Sequence, residues 1–206
     1  MEHRFEDGGV RGVLHLPENP NGDGLALTHG AGSNSNAPLL IALARAFSAA
    51  GMAVLRYDLP FRVERASGSP FPAGAARDRE GVRAAAAALE KYATRRIFAG
   101  GHSYGGRQSA MAAAENPLMA AGLLLLSYPL HPPRKPEQLR TAYFPELRTP
   151  ALFVHGTRDP FGTIDELRTA IAAIPARTDI FALERSGHDL KPAAQLGGEI
   201  LARMLF

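Results

Sequence analysis

Short apolar runs rich in branched side chains alternate along this chain with alanine-rich stretches of helical periodicity. This alternation is typical of a mostly parallel sheet with helices packed on both faces. The pattern predicts seven strands, at residues 10–16, 25–28, 52–57, 97–99, 123–127, 151–155 and 179–183. The four consecutive leucines of the fifth run indicate a central strand, because a parallel strand covered on both faces is apolar throughout.

Five helices are predicted between or after these strands, at residues 38–50, 76–92, 104–116, 164–174 and 192–204. Pro38 favours the first turn of the first helix, and Gly51 favours its end. Residues 59–75 and 128–149 lack a clean periodicity, so we expect long loops there that shape a binding pocket. There is no internal repeat and no domain-sized change in composition, which predicts one α/β domain over residues 1–206.

The amino-acid composition excludes several classes of protein and of functional site. Hydrophobic residues make up 46% and charged residues 21% of the 206 residues, as in an ordinary globular protein. The absence of cysteine excludes disulfides, cysteine-bound metals and thiol nucleophiles. The net charge of +3 comes from scattered basic residues, so we expect no nucleic-acid partner.

No apolar stretch approaches the ~20 residues that span a bilayer, and the N-terminus is acidic where a signal peptide is apolar. We therefore expect a cytoplasmic protein with no membrane partner.

The pentapeptide Gly101-His102-Ser103-Tyr104-Gly105 lies between a predicted strand and a predicted helix. It matches G-x-S-x-G, in which a sharp turn exposes a nucleophilic serine above the strand ends. Glycines two residues before and after the serine avoid the collisions that Cβ atoms would cause in such a turn. The alternative is a glycine-rich connection with an incidental serine. We interpret Ser103 as a nucleophile.

A serine hydroxyl needs a base within hydrogen-bonding reach, and the base needs an orienting carboxylate. Asp159 follows the predicted strand at 151–155, and His188 lies in a loop after the last predicted strand. The order serine, acid, histidine is the one expected after a G-x-S-x-G turn. The alternatives are an acid in an Asp-Pro turn and a surface histidine. Taken together with Ser103, the pattern predicts His188 as general base and Asp159 as its orienting acid.

An acyl-transfer site also needs N–H donors for the developing oxyanion. The amide that follows the nucleophile is that of Tyr104, and the second donor comes from the loop after an earlier strand. That loop contains His29-Gly30-Ala31-Gly32, and we assign the second donor to the Ala31 amide. The alternative is that this tetrapeptide is only a tight strand-to-helix turn.

Other polar residues suggest no metal and no cofactor. The four histidines near predicted strand ends lack the paired i, i+4 spacing of a zinc helix and lack carboxylates at ligand spacing: His29, His102, His131 and His155. Arg107 lies about one turn into the helix after Ser103. It could contact a substrate anion, but an internal ion pair or a hydrogen bond to a loop carbonyl is favoured.

Four segments resemble a known family: residues 28–32, 56–62, 101–107 and 127–132. They are similar to the α/β-hydrolase superfamily, and within it to the small KAN-type (testis-expressed-like) group related to dienelactone hydrolases. The resemblance implies an α/β-hydrolase fold without a large cap domain, with Ser103, Asp159 and His188 as catalytic residues. It implies a carboxylesterase- or thioesterase-like enzyme acting on a small acyl substrate without a cofactor, the alternative being a catalytically silent scaffold. Dienelactone hydrolases carry a cysteine nucleophile, so the serine of this chain argues against that substrate.

Overall fold

The computed structural model describes residues 1–204 and is built around one eight-stranded sheet. The strands are β1 (Glu2–Asp7), β2 (Val10–His15), β3 (Gly24–Thr28), β4 (Ala53–Asp58), β5 (Ile97–His102), β6 (Gly122–Leu126), β7 (Ala151–Gly156) and β8 (Thr178–Leu183). Their order across the sheet is β1-β2-β4-β3-β5-β6-β7-β8. The pairs β1–β2 and β2–β4 are antiparallel, and every other pair is parallel.

Helices cover both faces of the sheet. They are α1 (Pro38–Ala49), α2 (Pro60–Glu64), α3 (Ala75–Leu89), α4 (Tyr104–Glu115), α5 (Ile164–Ile171) and α6 (Gly197–Met204). Side chains of α1 and α6 form the core on one face, and those of α3, α4 and α5 form it on the other. In β6, Leu124 and Leu126 face the first core while Leu123 and Leu125 face the second. The leucine run is therefore covered on both faces, as its composition predicts.

All seven predicted strands are present, but the sequence pattern misses β1. This strand pairs with β2 through a turn at Gly8 and Gly9, whose φ angles are 56° and 81°. Of its six side chains only that of Phe5 is buried. An edge strand that carries charged, solvent-facing side chains lacks the apolar alternation by which strands are recognised, and its charges protect the edge from pairing with other chains.

Two helical regions also differ from the prediction. The stretch 59–75, predicted as a loop, contains α2, which begins at Pro60. The helix predicted at 192–204 is a 3₁₀ turn, Lys191–Gln195, followed by the shorter α6. The backbone of Leu190 is left-handed (φ 48°), and glycine at 197 and 198 weakens helix propensity, so a continuous helix does not form there.

The carboxyl ends of β3 to β8 lie along one edge of the sheet because these strands are parallel. In open α/β sheets this edge is where ligands bind. Within residues 1–204 no cap domain covers it, and the connections that border it include residues 59–75 and 128–149. In the same part of the chain, no helix combines the length and apolar composition needed to cross a membrane.

Candidate active site

Ser103 lies between the end of β5 and the first residue of α4, with φ 51° and ψ −115°. This positive φ is strained for a residue with a Cβ atom, and such strain is common at functional sites. The Ser103 amide donates to the Leu126 carbonyl at 2.8 Å, and the Ser103 carbonyl accepts from the Arg107 amide at 3.0 Å. These bonds fix the turn and hold the serine at the carboxyl edge of the sheet.

The two glycines that flank this turn are required by close backbone approach. A Cβ atom on Gly101 would lie 2.7 Å from the Thr28 carbonyl oxygen and 3.0 Å from the carbonyl carbon of Gly105. A Cβ atom on Gly105 would lie 2.5 Å from the His29 carbonyl oxygen. The neighbouring strand β3 and the loop after it therefore crowd the turn, in addition to the contact across the turn itself.

The structure brings Ser103, His188 and Asp159 together in one hydrogen-bonded chain, which we call the relay. His188 Nε2 lies 2.9 Å from Ser103 Oγ, and His188 Nδ1 lies 2.8 Å from Asp159 Oδ2. Asp159 comes from the turn after β7, and His188 comes from the loop after β8. The side chain of Asp159 is fully buried, whereas that of His188 is 24% exposed. The imidazole can thus meet a substrate on one side while its partner carboxylate is shielded from water.

Asp159 is held in its ionised form. Burial alone raises the pKa of this carboxyl group, but the hydrogen bond and charge attraction of His188 and the Phe161 amide outweigh burial, so its pKa is lowered. The Phe161 amide donates to Asp159 Oδ1 at 2.9 Å. An ionised carboxylate accepts from His188 Nδ1–H, which leaves Nε2 free to accept the serine proton.

Two other histidines support the relay, a role that the sequence pattern does not reveal. Burial lowers the pKa of His102 and of His155, so both are neutral near pH 7. His102 Nε2 lies 2.7 Å from the His188 carbonyl oxygen, and His155 Nε2 lies 2.8 Å from the Gly162 carbonyl oxygen. His102 thereby fixes the loop of His188, and His155 fixes the turn that carries Asp159. The one feature of the sequence that could have indicated this role is that His102 and His155 lie at the ends of β5 and β7.

Of the two predicted oxyanion donors, Tyr104 directly follows the nucleophile, and Ala31 belongs to a loop that passes next to it. Tyr104 is the first residue of α4, where amides have no partner within the helix. The loop after β3 passes so close that a Cβ atom on Gly30 would lie 3.5 Å from Ser103 Cβ. We call residues 29–33 the oxyanion loop. Within residues 1–204 neither the Ala31 nor the Tyr104 N–H donates to a backbone carbonyl.

Arg62 of α2 fastens the oxyanion loop. Its guanidinium donates to the Ala31 carbonyl at 3.0 Å and to the Ser33 carbonyl at 2.7 Å. It also donates to the carbonyl oxygens of Arg65 and Gly68. The residue is 7% exposed, and a buried arginine that bonds four carbonyl groups orders every segment it touches. Sequence reasoning misses Arg62, since an isolated arginine in an irregular stretch is expected to face solvent.

Asp78 of α3 holds Tyr104, the other residue to which we assign an oxyanion donor, in place. Its carboxylate is fully buried and accepts from the Tyr104 hydroxyl at 2.7 Å and from the Phe61 amide at 3.1 Å. The Phe61 ring packs edge-on against Tyr104, with 5.8 Å between ring centroids, and tilted against His29 at 5.6 Å. Residues 59–78, which we call the brace, therefore contact both sources of oxyanion donors.

Arg107 lies apart from the relay side chains, next to Tyr128. Burial raises the pKa of Tyr128 to about 12, while the neighbouring Tyr143 hydroxyl, at 2.8 Å, and the Arg107 guanidinium act in the opposite direction. The Arg107 guanidinium is thus close to a tyrosine hydroxyl, and within residues 1–204 its Nε is buried without a hydrogen-bond partner.

The other two histidines predicted near strand ends, His29 and His131, each lie near one carboxylate. His29 Nε2 lies 3.6 Å from Asp58 Oδ1, and His131 Nε2 lies 3.5 Å from Glu166 Oε2. Within residues 1–204, no three histidine, aspartate or glutamate side chains are grouped so that they could hold a metal ion.

Comparisons with known proteins agree with this architecture. A family model described as an alpha/beta hydrolase domain matches residues 22–204. Solved structures with a similar fold include TT1662 from Thermus thermophilus (TM-score 0.78, 22% identity, covering 98% of this chain and 97% of that one). An alpha-beta serine hydrolase homologue from Coxiella burnetii superposes with TM-score 0.77 at 15% identity, covering 98% and 96%. Dienelactone hydrolase from Anabaena variabilis superposes with TM-score 0.75 at 20% identity, and the match covers 99% of this chain and 98% of that one. On the family match, which spans most of its length, the chain belongs to the α/β-hydrolase family.

Proposed function

We propose that the protein is a serine hydrolase that cleaves an ester-like acyl substrate through an acyl-enzyme. The observation that carries this proposal is the unbroken relay from Ser103 Oγ through His188 to the buried carboxylate of Asp159. Two backbone N–H groups beside the serine supply the other requirement of acyl transfer.

In the first half-reaction, Ser103 Oγ attacks the substrate carbonyl carbon while His188 Nε2 takes the hydroxyl proton. Asp159 keeps the imidazole in the correct tautomer and stabilises the imidazolium that forms. The carbonyl oxygen gains negative charge and accepts hydrogen bonds from the amides of Ala31 and Tyr104. The bond to the leaving group then breaks, and the leaving group takes the proton from Nε2.

In the second half-reaction, water replaces the leaving group. His188 Nε2 removes a proton from the water as its oxygen attacks the acyl carbonyl, and the same N–H groups bind the second oxyanion. The acyl–oxygen bond breaks and Ser103 recovers its proton from Nε2. The net reaction consumes one water and releases a carboxylic acid and the alcohol or thiol of the substrate.

The finer assignment is part of the same proposal. We infer a carboxylesterase- or thioesterase-like enzyme of the cytoplasm, related to the small KAN-type group that four segments of the chain resemble. A structural neighbour is named a dienelactone hydrolase, but at 20% identity it is a guide to fold alone. The serine at position 103, where that class uses cysteine, leads us to propose a simple acyl ester instead.

Covalent labelling tests the proposal. A fluorophosphonate probe should modify the purified protein at Ser103, and Ser103→Ala should abolish both labelling and hydrolysis of p-nitrophenyl acetate. Ser127→Ala is the matched control, because Ser127 lies at the end of the adjacent strand β6 and also has a positive φ of 46°. A folded protein that is neither labelled nor active would favour the silent scaffold, and activity retained in Ser103→Ala would assign the chemistry elsewhere.

A further inference from the structure

We propose that an apolar cavity beside the nucleophile binds the acyl chain of the substrate, and that the preferred substrates are unbranched esters of about six to eight acyl carbons. This inference rests on the proposed function and specifies its substrate class. The cavity has a volume of about 350 Å³ and lies between the oxyanion loop, the start of α1 and the 3₁₀ turn Lys191–Gln195.

The cavity adjoins the relay through lining residues that neighbour Ser103. His102, which lines it, directly precedes Ser103 and hydrogen-bonds the His188 carbonyl. Gly30, which also lines it, approaches Ser103 closely enough that a Cβ atom would lie 3.5 Å from Ser103 Cβ and 3.1 Å from His102 Nδ1. The cavity lining therefore begins at residues adjacent to the nucleophile, and we propose that a group attached to a carbonyl carbon at Ser103 Oγ extends into this space.

The walls of the cavity are predominantly hydrocarbon, contributed largely by Ala37, Pro38, Leu39, Leu40 and Ala194. Among the described residues of its lining, Asp189 and Lys191 are the charged ones; they pair with each other at 3.3 Å and are each more than half exposed. These two charges neutralise one another at the solvent side. The described lining therefore leaves no unpaired charge to bind an ionic substrate group.

The lining residue His29 adds no free polar group. Its Nδ1 lies 2.8 Å from the Gly30 carbonyl oxygen and its Nε2 accepts from the Leu59 amide at 3.1 Å. Because both ring nitrogens have partners in the protein, His29 presents carbon to the cavity. An apolar chain fits such a surface, whereas a polar one would lose its hydrogen bonds to water.

The volume of the cavity limits the length of the acyl chain that it can hold. A methylene group occupies roughly the ~30 Å³ that a water molecule occupies in the liquid. Six to eight carbons then fill roughly 180–240 Å³, which fits within 350 Å³ with the packing gaps of a partly filled pocket. A two-carbon acyl group leaves most of the cavity empty, and a twelve-carbon chain, at roughly 360 Å³, leaves no room for packing gaps.

The position of the cavity favours the acyl group over the leaving group. The acyl carbonyl must face the amides of Ala31 and Tyr104, and the cavity is walled by the same loop that carries Ala31. The leaving group must instead lie at His188 Nε2, which protonates it. The chain on the acyl side of the carbonyl is therefore the one that enters the cavity.

The first experiment measures kcat/KM for p-nitrophenyl esters of two, four, six, eight and twelve acyl carbons, below their aggregation limits. Each buried methylene contributes about 0.8 kcal/mol, which is about fourfold, so hexanoate should exceed acetate by on the order of 10²-fold. Dodecanoate should fall below octanoate. A parallel series of alkyl acetates, from methyl to hexyl, should vary by less than about threefold.

A flat acyl series in an enzyme that is labelled at Ser103 would overturn this inference while leaving the proposed function intact. So would a steep dependence on the alcohol chain with none on the acyl chain. Failure of every ester together with absence of labelling would instead overturn the proposed function itself.

Two variants test the cavity directly. Ala37→Phe should fill the cavity and lower the hexanoate-to-acetate ratio of kcat/KM at least tenfold. Ala173→Phe is its matched control, because Ala173 is exposed just after α5 and does not line the cavity, and it should leave the ratio unchanged. Leu39→Ala should enlarge the cavity and move the optimum by about two carbons toward longer chains. An unchanged optimum and ratio in folded variants, checked by thermal melting, would overturn the inference.

Discussion

The Tyr104 hydroxyl donates a 2.7 Å hydrogen bond to the fully buried carboxylate of Asp78. This bond joins the first residue of α4, which follows the nucleophile, to the helix α3 beside it. Burial and the hydrogen bond to Asp78 raise the pKa of Tyr104, so the hydroxyl keeps its proton and remains a donor. The side chain of Tyr104 thus anchors the residue whose amide we assign to the oxyanion hole.

Tyr104→Phe should therefore impair turnover more than substrate binding. Loss of the hydroxyl leaves Asp78 with the Phe61 amide as its remaining close donor, which should lower the free energy of unfolding by ~1–3 kcal/mol. A shifted amide weakens oxyanion binding without abolishing it, so we expect kcat to fall by about tenfold, less than the ~10²–10³-fold loss for complete removal of a donor, with KM little changed. Steady-state kinetics and urea unfolding measure the two effects.

Tyr143→Phe provides the control for this prediction. The Tyr143 hydroxyl bonds the Tyr128 hydroxyl at 2.8 Å, away from the start of α4. This variant should lose stability without losing kcat. Equal loss of kcat in both variants would mean that Tyr104 has only a structural role.

Arg62→Lys should slow catalysis by loosening the oxyanion loop. A lysine has one nitrogen and cannot reach the carbonyl groups of Ala31, Ser33, Arg65 and Gly68 together. We expect kcat to fall by ~10-fold or more, on the same reasoning about a displaced oxyanion donor, with the pH profile of the base unchanged because the relay is intact. Arg65→Lys is the matched control, since the Arg65 side chain donates outward to the Ser69 carbonyl. A normal kcat in Arg62→Lys would exclude this positioning role.

Asp159→Asn should keep the fold of the site but disable its base. The amide no longer requires a proton on His188 Nδ1, so the imidazole is not held in the tautomer that accepts from Ser103. The expected loss of kcat is about 10⁴-fold. Asp165→Asn, at a side chain that is 91% exposed, should retain full activity. Comparable activities of the two variants in ester hydrolysis would contradict the role proposed for Asp159.

His15 should make the protein sensitive to acid. Burial lowers the pKa of His15 to about 4, and the nearby Arg56 adds to the effect, against the opposing charge of Glu2. Arg56 Nε donates to His15 Nε2 at 2.8 Å, which requires a neutral ring. Between pH 6.5 and 4 the unfolded chain binds a proton at this position that the folded chain does not, so acidification favours unfolding.

The expected cost is about 2 kcal/mol on moving from pH 7 to pH 5. In His15→Gln this contribution is absent, so urea unfolding at the two pH values should show a correspondingly smaller loss than in the unmodified protein. His3→Gln, at an exposed position of β1, should lose as much stability as the unmodified protein does. Identical losses in all three proteins would show that His15 does not titrate on unfolding.

Most of the sheet, and the order of the three relay residues along the chain, could be predicted from the sequence because both depend on local signals. Strands β2 to β8 are apolar, and Ser103, Asp159 and His188 each stand just after a strand or in the loop that follows one. The strand β1 escapes prediction because its side chains are charged and solvent-facing. The roles of Arg62 and Asp78 could not be predicted for the opposite reason. Both are charged residues that the fold buries, and only their tertiary partners distinguish them from surface residues.

The brace and the α1 wall of the acyl cavity belong to cores on opposite faces of the sheet. Phe61 of the brace belongs to the core beneath α3, whereas Leu40 of the cavity belongs to the core beneath α1 and α6. Changes that reshape the cavity from the α1 side therefore leave the contacts of Arg62 and Asp78 with the oxyanion donor residues untouched. Selection in nature or in the laboratory can consequently alter which esters are accepted without eroding catalytic power, which makes the α1 side the place to diversify this scaffold.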